Sequence, residues 1–244
     1  MRQLFAACSI AAALTVAACG GSDTPSSPTT TTPSVTITPG GTVYQLGATQ
    51  ALTLSAQTTP TNVVWSSSNP NVITIDSSGN ITAVGVGAAT ITATADAGVS
   101  ATLSLQVVPI YAGTWIGTAK VLACTDLAGF QSNGYCAKNL GTVSTVTITM
   151  NQSGNSVSGS ITKSEGANLL NGSVTGPIGA GGDVTMTGTL AGLASGSNLQ
   201  LSVISWNSLA DGSNMTGSWS GNITSPQILG IATLQWSLSL RLQP

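Results

Sequence analysis

Strict alternation of apolar with hydroxyl or amide side chains is the strongest constraint on this chain. In the final run Leu234, Trp236, Leu238, Leu240 and Leu242 fall on one face of an extended segment, with Gln235, Ser237, Ser239 and Arg241 on the other. A period of two puts successive side chains on opposite faces of a strand and cannot line one face of a helix with about 3.6 residues per turn. The same rhythm sets Tyr111, Gly113, Trp115, Gly117, Ala119 and Val121 against Thr114, Thr118 and Lys120. It also sets Met215, Gly217, Trp219, Gly221 and Ile223 against Thr216, Ser218, Ser220 and Asn222. The chain is therefore all-β, with many strands that each need cover on one face.

Charge narrows the function classes. Only 5% of the 244 residues are charged, with 5 Lys+Arg, 7 Asp+Glu and no His, against about 25% in an ordinary soluble domain. So few cations cannot track a phosphate backbone, which argues against nucleic acid as a partner. Without histidine, His-dependent triads and most zinc sites are excluded. Hydrophobic residues at 41% are too many for a disordered polyelectrolyte.

Residues 1–18 read as a secretory signal: Arg2 near the start, an apolar stretch from position 4 to 16, then small residues. The stretch is too short and too interrupted, by Ser9 and Thr15, to span a bilayer needing about 20 apolar residues. Val16-Ala17-Ala18-Cys19 resembles the bacterial lipobox, with valine where the family has leucine. The resemblance implies cleavage before Cys19 and acylation of that cysteine, hence a membrane partner through a lipid anchor at Cys19. Gly20 occupies the position where an aspartate would retain a lipoprotein at the inner membrane, so the resemblance points to the outer membrane of the bacterial envelope. Residues 19–33, rich in Ser, Thr and Pro, form a flexible tether.

Residues 34–108 read as an antiparallel β-sandwich, with candidate strands at 35–37, 51–56, 62–66, 72–75, 80–84, 89–93 and 101–107. Trp65 lies within an alternating run and reads as a core plug. Asp76, ahead of Ser77-Ser78-Gly79, reads as a turn former. Several spaced elements resemble the bacterial immunoglobulin-like group 2 domain: Leu46-Gly47 with Leu52-Thr53-Leu54, Val64-Trp65-Ser66-Ser67-Ser68-Asn69-Pro70, Ile75-Asp76-Ser77-Ser78-Gly79-Asn80-Ile81-Thr82-Ala83-Val84-Gly85, and Gly87-Ala88-Ala89-Thr90-Ile91-Thr92-Ala93. The resemblance implies a small sandwich used as a spacer or display unit on bacterial surface proteins, with no catalytic residue to carry over.

Residues 109–244 change rhythm to longer runs at 111–121, 143–150, 156–163, 169–175, 183–190, 198–206, 214–223 and 231–242. Short Gly-rich connections favour meander pairing, and eight such strands suffice to close a small antiparallel barrel. Alternation by itself leaves open whether the apolar face points inward or into lipid. The absence of aromatic girdles favours the inward choice. Gly113, Trp115 and Gly117 faintly resemble the opening strand of the lipocalin and avidin superfamilies, without ligand residues that can be placed here. Cys124 and Cys136 fall in the longest connection and are expected to pair in an oxidising compartment, stiffening a loop at 125–135.

Glu165 is the only glutamate, and Asp126, Asp183 and Asp211 are scattered among turns, a poor basis for paired-carboxylate chemistry. No catalytic residue, metal site or cofactor is expected. Two functional expectations follow. The first is a non-enzymatic envelope lipoprotein that displays its modules for adhesion or for binding an envelope or host glycan or protein. The second is a carrier that holds a small apolar ligand in the barrel near Trp115 and Trp219. The oligomeric state is not legible.

Overall fold

The computed structural model describes residues 34–56, 62–165, 168–194 and 196–244. The expected signal peptide, Cys19 and the tether through residue 33 lie outside the described residues. Two all-β modules follow one another along the chain.

The first holds β1 (Val35–Thr38), β2 (Val43–Gln45), β3 (Thr49–Ala51), β4 (Thr53–Ala56), β5 (Val63–Ser67), β6 (Ile73–Ile75), β7 (Asn80–Ala83), β8 (Gly87–Ala95) and β9 (Ser100–Val108). Its sheets run β2-β9-β8-β5, β3-β7-β6 and β1-β4. β8 shows the cause of the layering, because its alternate residues Ala89, Ile91 and Ala93 are buried while the threonines between them are not. They meet Ile37, Ile73, Ile81, Leu105 and Val107 in one core.

Two details depart from the expected sandwich. The run at 51–56 is two strands in different sheets, broken at Leu52, whose backbone N–H still donates at 3.0 Å to the carbonyl of Gly79, next to Asn80 of β7. β2 pairs with β9 in parallel, not antiparallel. With three half-buried residues, β2 is too short to show alternation.

The second module holds β10 (Gly113–Asp126), short helices α1 (Gly129–Ser132) and α2 (Tyr135–Asn139), β11 (Val143–Ser153), β12 (Ser156–Glu165), β13 (Asn168–Pro177), β14 (Val184–Ala194), β15 (Ser197–Asp211), β16 (Asn214–Ser225) and β17 (Ile228–Leu242). Consecutive strands pair antiparallel, and β10 pairs with β17 to close an eight-stranded barrel. The apolar faces turn inward, and the outer wall is mainly Ser, Thr, Asn and Gln. Inward glycines make closure possible. A Cβ on Gly172 would lie 1.8 Å from the Thr189 carbonyl oxygen, and one on Gly217 would lie 2.1 Å from that of Asn207. Only a residue without a side chain permits neighbouring strands to coil so tightly there.

The modules are joined through the linker at 109–112. The Gln152 side chain grips it twice, donating from Nε2 to the Pro109 carbonyl at 3.0 Å and accepting the Tyr111 N–H at Oε1 at 2.7 Å. Gln106 of β9 donates from Nε2 to the Gly179 carbonyl at 3.1 Å, tying the sandwich to the β13–β14 connection.

Candidate functional site

Three places merit consideration: the barrel interior, its capped end and its outer wall. In the interior, ladder pairing places Trp206 beside Trp219 and Trp219 beside Trp236, on β15, β16 and β17. Their ring centroids are 5.0 Å apart in each pair, with interplanar angles of 80° and 58°, the tilted geometries that aromatic quadrupoles favour. Trp219, expected as a candidate ligand contact, is thus the middle ring of a packed triplet. Trp115, the other candidate, is fully buried and donates from Nε1 to the Tyr111 carbonyl at 2.8 Å. Trp115 and Trp219 share one apolar core, but among the described residues their rings do not pair with each other. Met186, Ile148, Leu201, Leu234 and Leu238 share the same apolar core.

The interior also has unmet polar demand. The indole N–H groups of Trp206, Trp219 and Trp236 and the Ser208 hydroxyl are buried without hydrogen-bond partners among the described residues. A buried donor left unsatisfied costs about 1–3 kcal/mol. Sequence reasoning missed the triplet because alternation reveals which residues face inward but not which strands register side by side.

At the end nearest the sandwich Tyr111 is the plug. Fully buried, its hydroxyl donates to the Gly182 carbonyl at 2.7 Å, has the Ser208 carbonyl as a weaker second acceptor at 3.2 Å, and accepts the Ala210 N–H at 3.2 Å. Desolvation pushes its pKa up to about 12, with the Asp183 carboxylate nearby acting in the same direction. A mainly apolar recess of about 280 Å³ lies beside this plug, lined by Leu46 and Val86 of the sandwich, Pro109 and Ile110 of the linker, and Ala210, Asp211, Gly212 and Leu242 of the barrel.

The opposite end is capped by α1 and α2. Phe130 of α1 is fully buried and meets Tyr135 of α2 edge-on, with centroids 5.1 Å apart. Cys124 and Cys136 form the expected disulfide, with Cα atoms 5.4 Å apart. Asp126 reinforces it by accepting the Cys136 N–H at 2.8 Å. The connection expected as a loop at 125–135 is therefore a stapled plug. Asp126 belongs to this end, whereas Asp183 and Asp211 belong to the Tyr111 end. Among the described residues no three His, Cys, Asp or Glu side chains gather as a metal site.

The outer wall carries an open groove of about 540 Å³ across β11, β12, β13 and β14. Ladder registers align two rows along it. One is Thr149, Ser160, Ser173 and Thr189, and the other is Asn151, Ser158, Thr175 and Thr187. Between them the floor is Gly159, Val174 and Gly188. At Gly188 a Cβ would fall 2.0 Å from the Ser173 carbonyl oxygen, and at Gly159 2.6 Å from that of Thr149. These glycines permit close strand approach on the inner side of the wall beneath the groove. No charged residue lines the trough. Thr149 is bonded to Thr114 across 3.1 Å and Thr175 donates to the Val157 carbonyl at 3.0 Å. The other polar side chains of the two rows make no hydrogen bond among the described residues.

Against this geometry the comparisons with known proteins can be set. Residues 31–105 match the bacterial Ig-like domain (group 2) family. The match covers the sandwich and stops before the barrel, which agrees with the residue-by-residue resemblance of that segment. No curated protein matches the chain. An intimin mutant from EHEC O157:H7 is similar at 19% identity and a TM-score of 0.27, over 45% of this chain and 59% of that one. This chain thus spans less than two thirds of that structure.

Proposed function

We propose that this is a non-enzymatic, lipid-anchored protein of the bacterial envelope that holds a binding barrel clear of the bilayer on an Ig-like spacer. Support comes from the order of parts: a signal-like stretch at 1–18, Cys19 in a lipobox-like setting, a tether at 19–33, the Ig-like segment and then the barrel. Gly20 after Cys19 favours the outer membrane. The observation that carries the reading is the filling of the barrel by its own side chains, the Trp206, Trp219 and Trp236 triplet above all. With the interior occupied and both ends plugged, recognition falls to the outer wall, which is neutral, polar and suited to adhesion or polymer binding.

The test is a pull-down with the purified chain against cell-envelope glycans and host matrix components. Specific retention of either class is the expected result. Uniform failure to retain any of them contradicts the proposal.

A second reading, a carrier of a small molecule inside the barrel, is favoured by the unpartnered N–H groups of Trp206, Trp219 and Trp236 and the Ser208 hydroxyl. Such a ligand would need an acceptor atom as well as apolar surface. Water molecules would satisfy the same donors.

A further inference from the structure

We infer that the trough across β11–β14 is a binding site for an extended, neutral, β-1,4-linked glycan; the inference rests on the adhesion and polymer-binding reading above and names its site. Three observations carry it. The lining is hydroxyl and amide with no charged side chain, which selects a neutral, hydrogen-bonding ligand over an anionic polymer or a lipid. The groove, of about 540 Å³, is open to solvent along its length, so that an extended chain can pass through it.

Spacing is the third. The two polar rows run across the strands, so each successive donor or acceptor is displaced by one strand separation, about 4.8 Å. That is close to the advance per pyranose in an extended β-1,4 chain. One sugar can therefore sit over each strand, with hydroxyls on both edges facing Ser160 and Ser173 on one side and Ser158 and Thr187 on the other. Gly159, Val174 and Gly188 belong to the inward-facing set, so between the two rows the outer wall presents backbone against which pyranose faces can lie. Side chains at the two glycine positions would close neighbouring strands out of register. Each hydrogen bond replaces one to water, so affinity accumulates along the chain and grows with the number of sugars.

The test uses the full folded chain with cellohexaose and chitohexaose as probes, read by titration calorimetry, and with a hexasaccharide of alginate as the anionic comparison. Binding of at least one neutral hexaose, stronger than its own trisaccharide and stronger than the alginate fragment, is expected. The double variant Ser160→Val, Ser173→Val should lose tenfold or more of that affinity. The double variant Ser218→Val, Ser239→Val, placed on the outer wall away from the trough, should bind unchanged. Near-ultraviolet circular dichroism of the buried tryptophans checks that both variants fold. Absence of binding to both neutral hexaoses, or equal loss in the two double variants, overturns the inference. Pull-down of envelope or matrix material by a chain that ignores both hexaoses removes this site and leaves the broader proposal standing.

Discussion

The Tyr111 hydroxyl donates a 2.7 Å hydrogen bond to the carbonyl of Gly182, a residue 71 positions further along the chain. The contact fixes the linker to the β13–β14 connection, while the Ala210 N–H completes the site from the end of β15. Tyr111→Phe keeps the ring and strands three backbone groups. It should destabilise the barrel by about 1–3 kcal/mol, measured by urea unfolding followed through tryptophan fluorescence.

The same residue sets an alkaline limit. Its pKa is raised from 10.0 to about 12 in the folded chain, so folding favours the protonated phenol. The contribution is complete below pH 10 and is lost as pH rises from 10 to 12, because the unfolded state releases its proton first. Melting temperature should fall across that window in the native chain. The fall should be shallower in Tyr111→Phe, and identical slopes would show that another group is responsible.

The cap depends on its staple. Cys124 and Cys136 are separated by 12 residues, and closing a loop of that size contributes about 3 kcal/mol in the chain-entropy picture. Cys136→Ser should lower barrel stability by a comparable amount and expose the segment at 127–142 to proteolysis while the strands stay protected. Protease mapping at neutral pH with intact-mass readout would detect the nick.

Trp219 discriminates packing from ligand binding. Trp219→Ala empties the centre of the indole triplet and should cost about 3–5 kcal/mol. Trp219→Phe retains an aromatic ring and deletes an N–H that has no partner, so its cost should be well under half as large. A phenylalanine variant as damaged as the alanine one would mean that the N–H is bonded to something held inside the barrel.

Gly172→Ala tests the closure geometry. Its Cβ would fall 1.8 Å from the Thr189 carbonyl oxygen, a backbone clash that no rotamer relieves, and the cost should reach or exceed the upper end of about 1–3 kcal/mol. Gly41→Ala, with nothing within 4 Å of the new atom, should stay within about 0.5 kcal/mol of the native chain. Thermal unfolding of the two side by side is sufficient.

These sites show what alternation can and cannot reveal. The inward faces of β10, β16 and β17 were readable from Trp115, Trp219 and Trp236, because a period of two assigns each residue to one face. The Asp76 turn was equally readable: its carboxylate accepts the N–H groups of Ser78 at 2.8 Å and Asn80 at 2.9 Å, and the Asn80 side-chain amide foremost holds its pKa below the usual carboxylate value. Register was not readable. The indole triplet and the two rows of the trough exist only because particular residues on different strands stand level, which bulges and glycine contacts decide. Helices α1 and α2 were missed since each is too short to display a helical period, and the Gln152 clamp since a lone glutamine near a strand end carries no pattern.

The claim that the barrel acts from its outer wall, its interior being filled by its own side chains, is tested most directly by native mass spectrometry of the purified chain beside its denatured mass. Equal masses are predicted. A stoichiometric small molecule present in the native spectrum and released on denaturation would contradict the account and make the barrel a carrier.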